Sequence, residues 1–177
     1  MEMIKELLPG CFLLKPINYE DQRGCFVKTY HNRSYEEMGI FLVIREEFFS
    51  ISHANVLRGM HFQLPPHDHD KLVYCTRGAV LDVLLDLRKG EGYGQVASTQ
   101  LSCENGQLLF IPTGIAHGFL SLSDHTLMIY KTSSVYAPEF DCGIRWDSFG
   151  FDWGLSQPVM SVRDEQHTAF GNFDSPF

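Results

Sequence analysis

The sequence predicts an all-β protein built as a barrel or jelly roll. Short apolar runs bounded by Gly, Pro, Asp and Asn dominate the chain, which is the pattern of closely spaced strands. Aromatic residues make up 13% of the sequence, fourteen of them Phe, which favours strands over a helical bundle. A barrel also limits exposed sheet edges. No internal repeat is visible, and 177 residues suffice for one core, so we predict a single domain spanning 1–177.

The charge balance excludes several classes of partner. Lys and Arg number 14 against 22 Asp and Glu, a net charge of −8, which argues against nucleic acid. No apolar run approaches the ~18 residues of a membrane-spanning helix. The segment 1–14 is too short and too acidic for a signal peptide. We therefore expect a cytoplasmic protein without membrane contact.

The cysteines are odd in number and form no CxxC pair. All lie in apolar, strand-like segments, so we expect reduced thiols in the core and a reducing compartment. They are Cys11, Cys25, Cys75, Cys103 and Cys142.

Two secondary-structure elements, a helix and a strand, can be predicted from local sequence patterns. Ser34 and Glu37 have the spacing of a capping box ahead of Gly39, which predicts a helix of about two turns ended by glycine. Residues 79–88 alternate, with odd-numbered positions on one face and even-numbered positions on the other, which predicts a strand.

A glycine-rich segment, residues 89–94, follows this strand. No helix pattern and no Lys-Ser/Thr ending accompany it, so a β-turn is favoured over a phosphate loop.

Residues 106–117 are the most informative stretch. An apolar run ends at Pro112, Gly114 turns the chain, and His117 points back toward the interior. The spacing of glycine, proline, glycine and histidine is that of the second signature of a cupin-type barrel. We therefore predict a cupin-like jelly-roll β-barrel with a few short helices.

The first cupin signature is altered in a way that disfavours a metal. Metal-binding cupins carry His-x-His and then a Glu, but here Gln63 replaces the second histidine, and Lys71 stands in the Glu position before Gly78. An ammonium beside a divalent ion would be repelled. We predict no metal and no cofactor. On composition alone, hydrogen-bonded core histidines are the favoured interpretation of His61 and His117. Their place in barrel motifs, together with a lysine and an arginine, favours a metal-free acid/base site.

A second His-x-His, His67 and His69, lies in a polar loop with two prolines and two aspartates. We expect these histidines to be exposed and not to be ligands, and a sparse metal site there is the less favoured alternative.

Histidine, lysine and tyrosine can act together without a metal in proton abstraction next to a ketone. A neutral histidine, with an unperturbed pKa of ~6.5, accepts the proton. An ammonium stabilises the enolate oxygen as charge develops. A tyrosine on the opposite side of a sugar ring can return a proton to the other face and invert the carbon.

Several blocks together resemble the dTDP-4-dehydrorhamnose 3,5-epimerase family over residues 13–164. The blocks are residues 21–24 (Asp-Gln-Arg-Gly), 56–63 (Val-Leu-Arg-Gly-Met-His-Phe-Gln), 71–73 (Lys-Leu-Val), 111–119 and 130–139. The resemblance implies a cofactor-independent epimerase that inverts C3, C5 or both in a nucleotide-diphosphate-linked 4-keto-6-deoxyhexose. It implies deoxysugar supply for surface polysaccharide, and a jelly-roll homodimer whose N-terminal strands cross to the partner.

The resemblance also assigns roles. His61 is the general base, Asp164 orients it, Lys71 faces the C4 ketone or enolate, and Tyr130 is the proton donor on the other face. Further substrate contacts follow. Arg23 and Arg58 hold the diphosphate, as guanidinium forks suit phosphate oxygens. His117 lines the pocket, and we expect Asp82 to hold it. The remaining predicted substrate-binding residues are Phe26, Lys28, Glu46, Phe48 and Gln63.

Three positions depart from the family pattern. Lys28 replaces a Glu, Glu46 a Gln and Phe48 an Asn. A site built to hydrogen-bond one base rejects another strongly, so altered polarity bears on the nucleotide. A carboxylate at 46 suits the amino group of cytosine, and we hypothesise CDP in place of dTDP. The same changes could instead alter which carbons are inverted.

Two other functions compete with the epimerase. One is a metal-dependent cupin isomerase or oxygenase, which Gln63 and Lys71 disfavour. The other is a catalytically silent barrel that binds nucleotide sugars, which would have no evident need for all four of the proposed catalytic residues.

Overall fold

The computed structural model describes all 177 residues and confirms an all-β protein. The strands are β1 Glu2–Leu8, β2 Cys11–Lys15, β3 Ile17–Asp21, β4 Gly24–Lys28, β5 Glu46–Ser52, β6 Leu57–Gln63, β7 Lys71–Arg77, β8 Ala79–Asp86, β9 Val96–Ser102, β10 Leu108–Ile111, β11 Ile115–Ser121, β12 Thr126–Thr132 and β13 Asp141–Gly143. Two short helices, α1 Asn32–Glu36 and α2 Val162–Glu165, and a 3₁₀ turn at Phe170–Asn172 complete the chain. Neither helix has the length or apolar character needed to cross a bilayer.

Most strands belong to two antiparallel sheets. Sheet A has the order β1-β2-β10-β7-β12-β5, and sheet B has the order β13-β6-β11-β8-β9. The crossing connections between the sheets are those of a jelly roll, in which neighbouring strands are distant in sequence. Strands β3 and β4 form a separate two-stranded hairpin that joins neither sheet.

The core has three layers because both sheets are apolar on both faces. Between the sheets, Val73 and Leu109 of sheet A meet Leu84 and Phe119 of sheet B. Outside sheet A, the segment around α1 covers the strands with buried Tyr35. Outside sheet B, the C-terminal segment covers them with large aromatic side chains, Trp153, Phe173 and Phe177 among them. At one end of the space between the sheets, most of the side chains are polar.

Strand β8 shows how the sequence pattern produces this layering. It lies between β11 and β9, so both faces are covered. Val80 and Leu84 point between the sheets, while Val83 and Leu85 point to the outer layer. The predicted alternation is confirmed, although the strand ends at Asp86. The loop at 89–94 is a turn, with the N–H of Tyr93 donating to the carbonyl of Gly90.

The hairpin from β10 to β11 has the predicted form. Strand β10 ends at Ile111, Pro112 follows, and Gly114 adopts a φ of +80° that favours glycine. A Cβ there would also lie 2.5 Å from Cγ of Arg88. The turn returns β11 against β8 and places His117 opposite Leu84.

The predicted capping box is wrong. The helix α1 begins after His31, which makes no side-chain cap, and Ser34 lies inside the helix. Glu37 instead accepts a hydrogen bond from the Arg33 guanidinium, a surface pair one turn away. The glycine end is confirmed, because Gly39 follows with a φ of +79°.

The cysteines are free thiols, as expected, but not all of them lie in the core. Cys11 and Cys75 are buried, Cys142 is half-buried, and Cys25 and Cys103 are exposed. The exposed pair lies on the separate hairpin and just after β9, where one strand face meets solvent.

The inter-sheet layer should dominate stability. Truncating Leu84, which is fully buried there, removes contacts on a strand covered on both sides. We expect Leu84→Ala to lower the free energy of unfolding by about 2–5 kcal/mol in urea titrations. Ile4→Ala, on the exposed edge strand β1, is the matched control and should cost much less. Equal losses would contradict the layered core.

Candidate active site

A cavity of about 380 Å³ opens at the polar end of the inter-sheet space. Sheet A contributes residues from β5, β7 and β12, and sheet B contributes residues from β6, β11 and β13. The cavity therefore has two walls from different sheets. The predicted residues that line it are Glu46, Phe48, Arg58, His61, Gln63, Lys71, His117 and Tyr130.

His61 on β6 is held by a carboxylate from a distant part of the chain. Its Nε2 lies 2.8 Å from Oδ1 of Asp164, and Oδ2 of the same carboxylate accepts the Gly59 N–H at 3.3 Å. Asp164 is fixed in turn, because its N–H donates to Oγ of Ser161, the cap of α2. This contact gives Nε2 of His61 the hydrogen and leaves Nδ1 as the free base.

The charges around the pair shift both pKa values. Burial raises the pKa of Asp164, but the neighbouring His167 and His61 side chains and the Gly59 N–H donor outweigh it and hold that pKa far below its usual range. Burial lowers the pKa of His61 against the opposing effect of Asp164. His61 is therefore neutral, and able to accept a proton, at neutral pH.

Lys71 crosses from one wall to the other. It is the first residue of β7 in sheet A, and its ammonium donates to the His61 carbonyl in sheet B at 3.0 Å. Burial lowers its pKa to about 8, and the carboxylates of Asp141 and Asp82 act in the opposite direction. A cation is thereby placed beside the base, where it can stabilise a developing oxyanion.

Tyr130 projects from β12 in the opposite wall. Its hydroxyl lies 3.2 Å from Oγ of Ser50, and its ring stacks on Phe48 with centroids 4.7 Å apart. Burial raises the pKa of Tyr130, so the phenol stays protonated and can donate. Phe48, one of the departures from the family pattern, covers the ring of this donor.

His117 and Asp82 form the expected pair. Their Nε2 and Oδ2 atoms are 2.9 Å apart and both side chains are buried. The pair lies beside Tyr130, with the rings of His117 and Tyr130 6.4 Å apart.

Three of the other lining residues are partly engaged by the protein itself. Arg58 donates from Nε to Oγ of Ser52. Both ends of the Gln63 amide bind backbone, since Oε1 accepts the Ala137 N–H and Nε2 donates to the His67 carbonyl, each at 2.7 Å. Oε2 of Glu46 accepts the Tyr136 N–H at 2.7 Å.

The structure does not bring three predicted residues to this cavity. Arg23, Phe26 and Lys28 lie on the separate β3–β4 hairpin. Arg23 is 85% exposed, and its guanidinium binds only Asp21 within the chain. In a single chain these residues form a different surface from the cavity.

Nine of the 17 lining residues were not predicted from the sequence, and the four of these with ionisable side chains are His69, Tyr136, Asp141 and Arg163. The expectation that His67 and His69 are exposed is wrong, because both are half-buried and His69 faces the cavity, where Nε2 of Gln63 contacts it at 3.2 Å. Arg163 forms an ion pair with Asp141 and lies 3.1 Å from Nε2 of His61 through Nη2. Its only signal was its place next to Asp164.

The residues present fit a metal ion poorly. His61, Asp164 and His167 bring three ligand atoms within 4.8 Å of one another. However, the Arg163 guanidinium lies 3.1 Å from Nε2 of His61 and 3.5 Å from Oδ1 of Asp164, so a cation already lies beside two of the three ligand atoms. In the cupin ligand positions, Lys71 and the engaged Gln63 amide offer no anionic ligand.

The chain is similar to known proteins over nearly its whole length. The family model described as dTDP-4-dehydrorhamnose 3,5-epimerase matches residues 5–172 of the chain. The protein of that name from Methanothermobacter thermautotrophicus is 42% identical over 167 residues, covering 91% of this chain and 90% of the relative.

Solved structures share the fold. A dTDP-6-deoxy-D-glucose-3,5-epimerase from Legionella pneumophila, in complex with dTDP-4-keto-L-rhamnose, superposes with a TM-score of 0.93 at 32% identity, covering 98% of this chain and 94% of that one. A 3′-monoepimerase from Streptomyces bikiniensis, in complex with dTDP-quinovose, has a TM-score of 0.85 at 27% identity, covering 92% and 84%.

The buried ammonium of Lys71 should cost stability at neutral pH. Its pKa of about 8 in the folded chain lies below its value of 10.5 when unfolded, so the unfolded state binds more protons between those values. Stability contributed by this group therefore rises as pH increases from 8 to 10.5. We expect Lys71→Met to be more stable than wild type at pH 7, with the difference narrowing toward pH 10.5 in thermal unfolding.

The exposed Lys89 provides the control. Lys89→Met should unfold like wild type throughout this pH range. A constant difference between Lys71→Met and wild type would show that the Lys71 ammonium is not destabilised by burial.

Proposed function

The chain belongs to the dTDP-4-dehydrorhamnose 3,5-epimerase family, and on that premise we propose that His61, Lys71, Tyr130 and Asp164 carry out its reaction. The chain is an isomerase acting on a nucleotide-linked 4-keto-6-deoxyhexose in deoxysugar biosynthesis. Membership of this family favours the epimerase over both the metal-dependent isomerase or oxygenase and the silent binding barrel.

The observation that carries this assignment is the placement of acid and base on opposite walls. His61 belongs to sheet B and Tyr130 to sheet A, and both side chains line one cavity. Inverting a carbon requires removal of a proton from one face of the sugar and delivery to the other. A sugar ring held between the two walls meets a base on one side and a phenol on the other.

The chemical step follows from the charges. Nδ1 of His61 removes the proton next to the C4 ketone, and the electron pair moves onto the ketone oxygen as an enolate. The Lys71 ammonium stabilises that oxygen. The imidazolium of His61 is supported by the anionic Asp164 at 2.8 Å. Tyr130 then delivers its proton to the carbon from the opposite face.

The nucleotide is proposed to be dTDP. The relatives described above carry dTDP in their names, which favours it over the CDP hypothesis. The Glu46 carboxylate, which was expected to accept the cytosine amino group of CDP, already accepts the Tyr136 N–H, and this weakens the hypothesis of a CDP-linked substrate. Turnover of dTDP- and CDP-linked ketosugars, compared side by side, decides between them, and a clear CDP preference would overturn this proposal.

Two carbons, C3 and C5, are proposed to be inverted, as the family name states. Inversion at C3 alone is the second candidate, favoured by the likeness to the 3′-monoepimerase. The catalytic residues are compatible with either outcome, so the count must be measured at each carbon.

The working form is proposed to be a homodimer. An isolated two-stranded hairpin is marginally stable in water, yet β3 and β4 join neither sheet and expose Tyr19 and Phe26. Edge strand β5 borders the cavity and exposes Phe49, which is 65% accessible. A second copy would cover both surfaces and bring its Arg23, Phe26 and Lys28 to this cavity, where the diphosphate needs cations.

Solvent deuterium incorporation tests the acid and base roles. With dTDP-4-keto-6-deoxyglucose in heavy water, we expect wild type to exchange and invert at C3 and C5. His61→Asn should lose about 10²–10⁴-fold of the exchange rate, because general base catalysis is removed. Tyr130→Phe should keep exchange but lose inversion, since His61 can only return deuterium to the original face. NMR and mass spectrometry follow both.

Binding of dTDP, measured by calorimetry, is the control for both variants. It should stay close to wild type, because neither residue is assigned to the nucleotide. Wild-type exchange in His61→Asn would contradict the assignment of the base.

The dimer is tested by sedimentation. We expect wild type to sediment at twice the mass of one chain. Phe49→Glu places a charge on the proposed interface, so it should weaken association at least tenfold and lose activity in parallel. Leu122→Glu, an exposed apolar position on the loop after β11, is the control and should remain dimeric and active. A fully active monomer would overturn the proposal.

A further inference from the structure

His167 is a nearly buried histidine with no assigned role. Its side chain is 11% exposed and lies three residues after Asp164, beyond the end of α2. Its Nε2 is inaccessible to solvent and makes no hydrogen bond within ordinary limits. Burying an imidazole nitrogen without a partner is costly, so its surroundings should contain the group it serves.

That group is the carboxylate of Asp164. Nε2 of His167 lies 3.5 Å from Oδ1, the same oxygen that contacts His61 at 2.8 Å. The rings of His61 and His167 meet edge to face, with centroids 5.5 Å apart and planes at 81°. One carboxylate oxygen is thus bracketed by two imidazoles.

Gly143 fixes where the His167 ring can lie. It pairs with His61 across β13 and β6. A Cβ at Gly143 would lie 2.4 Å from both Cδ2 and Nε2 of His167. The ring therefore rests on the backbone of β13, and only a glycine at 143 allows it to reach Asp164.

We propose that His167 is a positioning residue for the catalytic pair, donating its Nε2–H toward Asp164 so that the carboxylate keeps the orientation that directs His61. This inference rests on the proposed function of His61 as the base. Without His167 the carboxylate loses a donor on one side and gains room to turn. His61 would then lose alignment with the substrate, as well as part of the charge that supports its protonated form.

Three variants at the site test the proposal by turnover. His167→Ala should lower kcat about tenfold to hundredfold, the cost of a small misplacement of a catalytic group, with KM little changed. His167→Gln keeps an N–H donor and should recover most of that loss. Gly143→Ala should lower kcat as well, because its methyl group displaces the ring, although it touches neither substrate nor Asp164.

The double variant and a surface histidine give the controls. Gly143→Ala combined with His167→Ala should be no worse than His167→Ala alone, because both changes act through the same ring. His53→Ala, on an exposed histidine far from the site, should match wild type.

Titration of the His61 ring, followed by NMR, provides a readout that needs no turnover. The charged and titratable groups around that ring are Asp164 and Arg163 from α2, Lys71 from β7, His117 from β11, Asp141 from β13, and His167. Asp164 supports the imidazolium, while Lys71 and Arg163 oppose it. A carboxylate that turns away in His167→Ala should move the titration of His61, and the acid limb of kcat/KM, to lower pH.

The outcomes separate this inference from the proposed function. Wild-type kcat and an unmoved His61 titration in His167→Ala would overturn it. A Gln variant as impaired as the Ala variant, or a double variant whose loss is the product of the single losses, would also contradict it. If wild type itself fails to turn over the ketosugar, the proposed function fails, and the His61 titration alone decides whether His167 positions the pair.

Discussion

Polar and charged side chains that lie between two apolar sheets must find hydrogen-bonding or charged partners, and this constraint organises the protein. His117 is bound to Asp82, His61 to Asp164, and the Lys71 ammonium to the His61 carbonyl. Each contact joins different strands or segments, so breaking one would leave a buried charge without compensation. The same pairings that make burial tolerable fix a base, an ammonium and a phenol around one cavity. Stability and catalysis therefore depend on the same few contacts, although the ionisable side chains that catalysis requires are costly to bury.

The parts of this arrangement that depend on local spacing could be predicted from the sequence. Alternation over 79–88 predicted a strand, and Pro112 with Gly114 predicted the turn that sends His117 inward, since both depend on backbone geometry. The expected pairing of Asp82 with His117 is also found, although no spacing in the sequence required it. The departure of Lys71 from the metal-binding pattern was readable as an ammonium in place of a carboxylate.

The remainder depends on contacts between segments that sequence spacing does not relate. The His67–His69 loop was expected to be exposed, but the Gln63 amide binds the His67 carbonyl and brings His69 to the cavity. Gly143 and His167 meet only because β13 returns beside β6, and Arg163 reaches His61 only because α2 packs there. The capping-box prediction was wrong because a serine is compatible with both the N-cap position and the helix interior, and Ser34 lies in the interior. Within one chain, the β3–β4 hairpin that carries Arg23 does not reach the cavity. No local sequence pattern could reveal this, because it depends on how the hairpin lies relative to the two sheets.

A crystal structure of the wild-type protein with a bound dTDP-linked 4-keto-6-deoxyhexose, or a stable analogue, would show directly whether base and phenol lie on opposite faces of the sugar. We expect the sugar ring to lie between the His61 imidazole and the Tyr130 hydroxyl, with its C4 oxygen within hydrogen-bonding distance of the Lys71 ammonium. His61 would face the carbon that loses its proton, still bound to Asp164. A sugar outside the cavity, or one with His61 and Tyr130 on the same face of its ring, would contradict the account, because inversion needs groups on both faces.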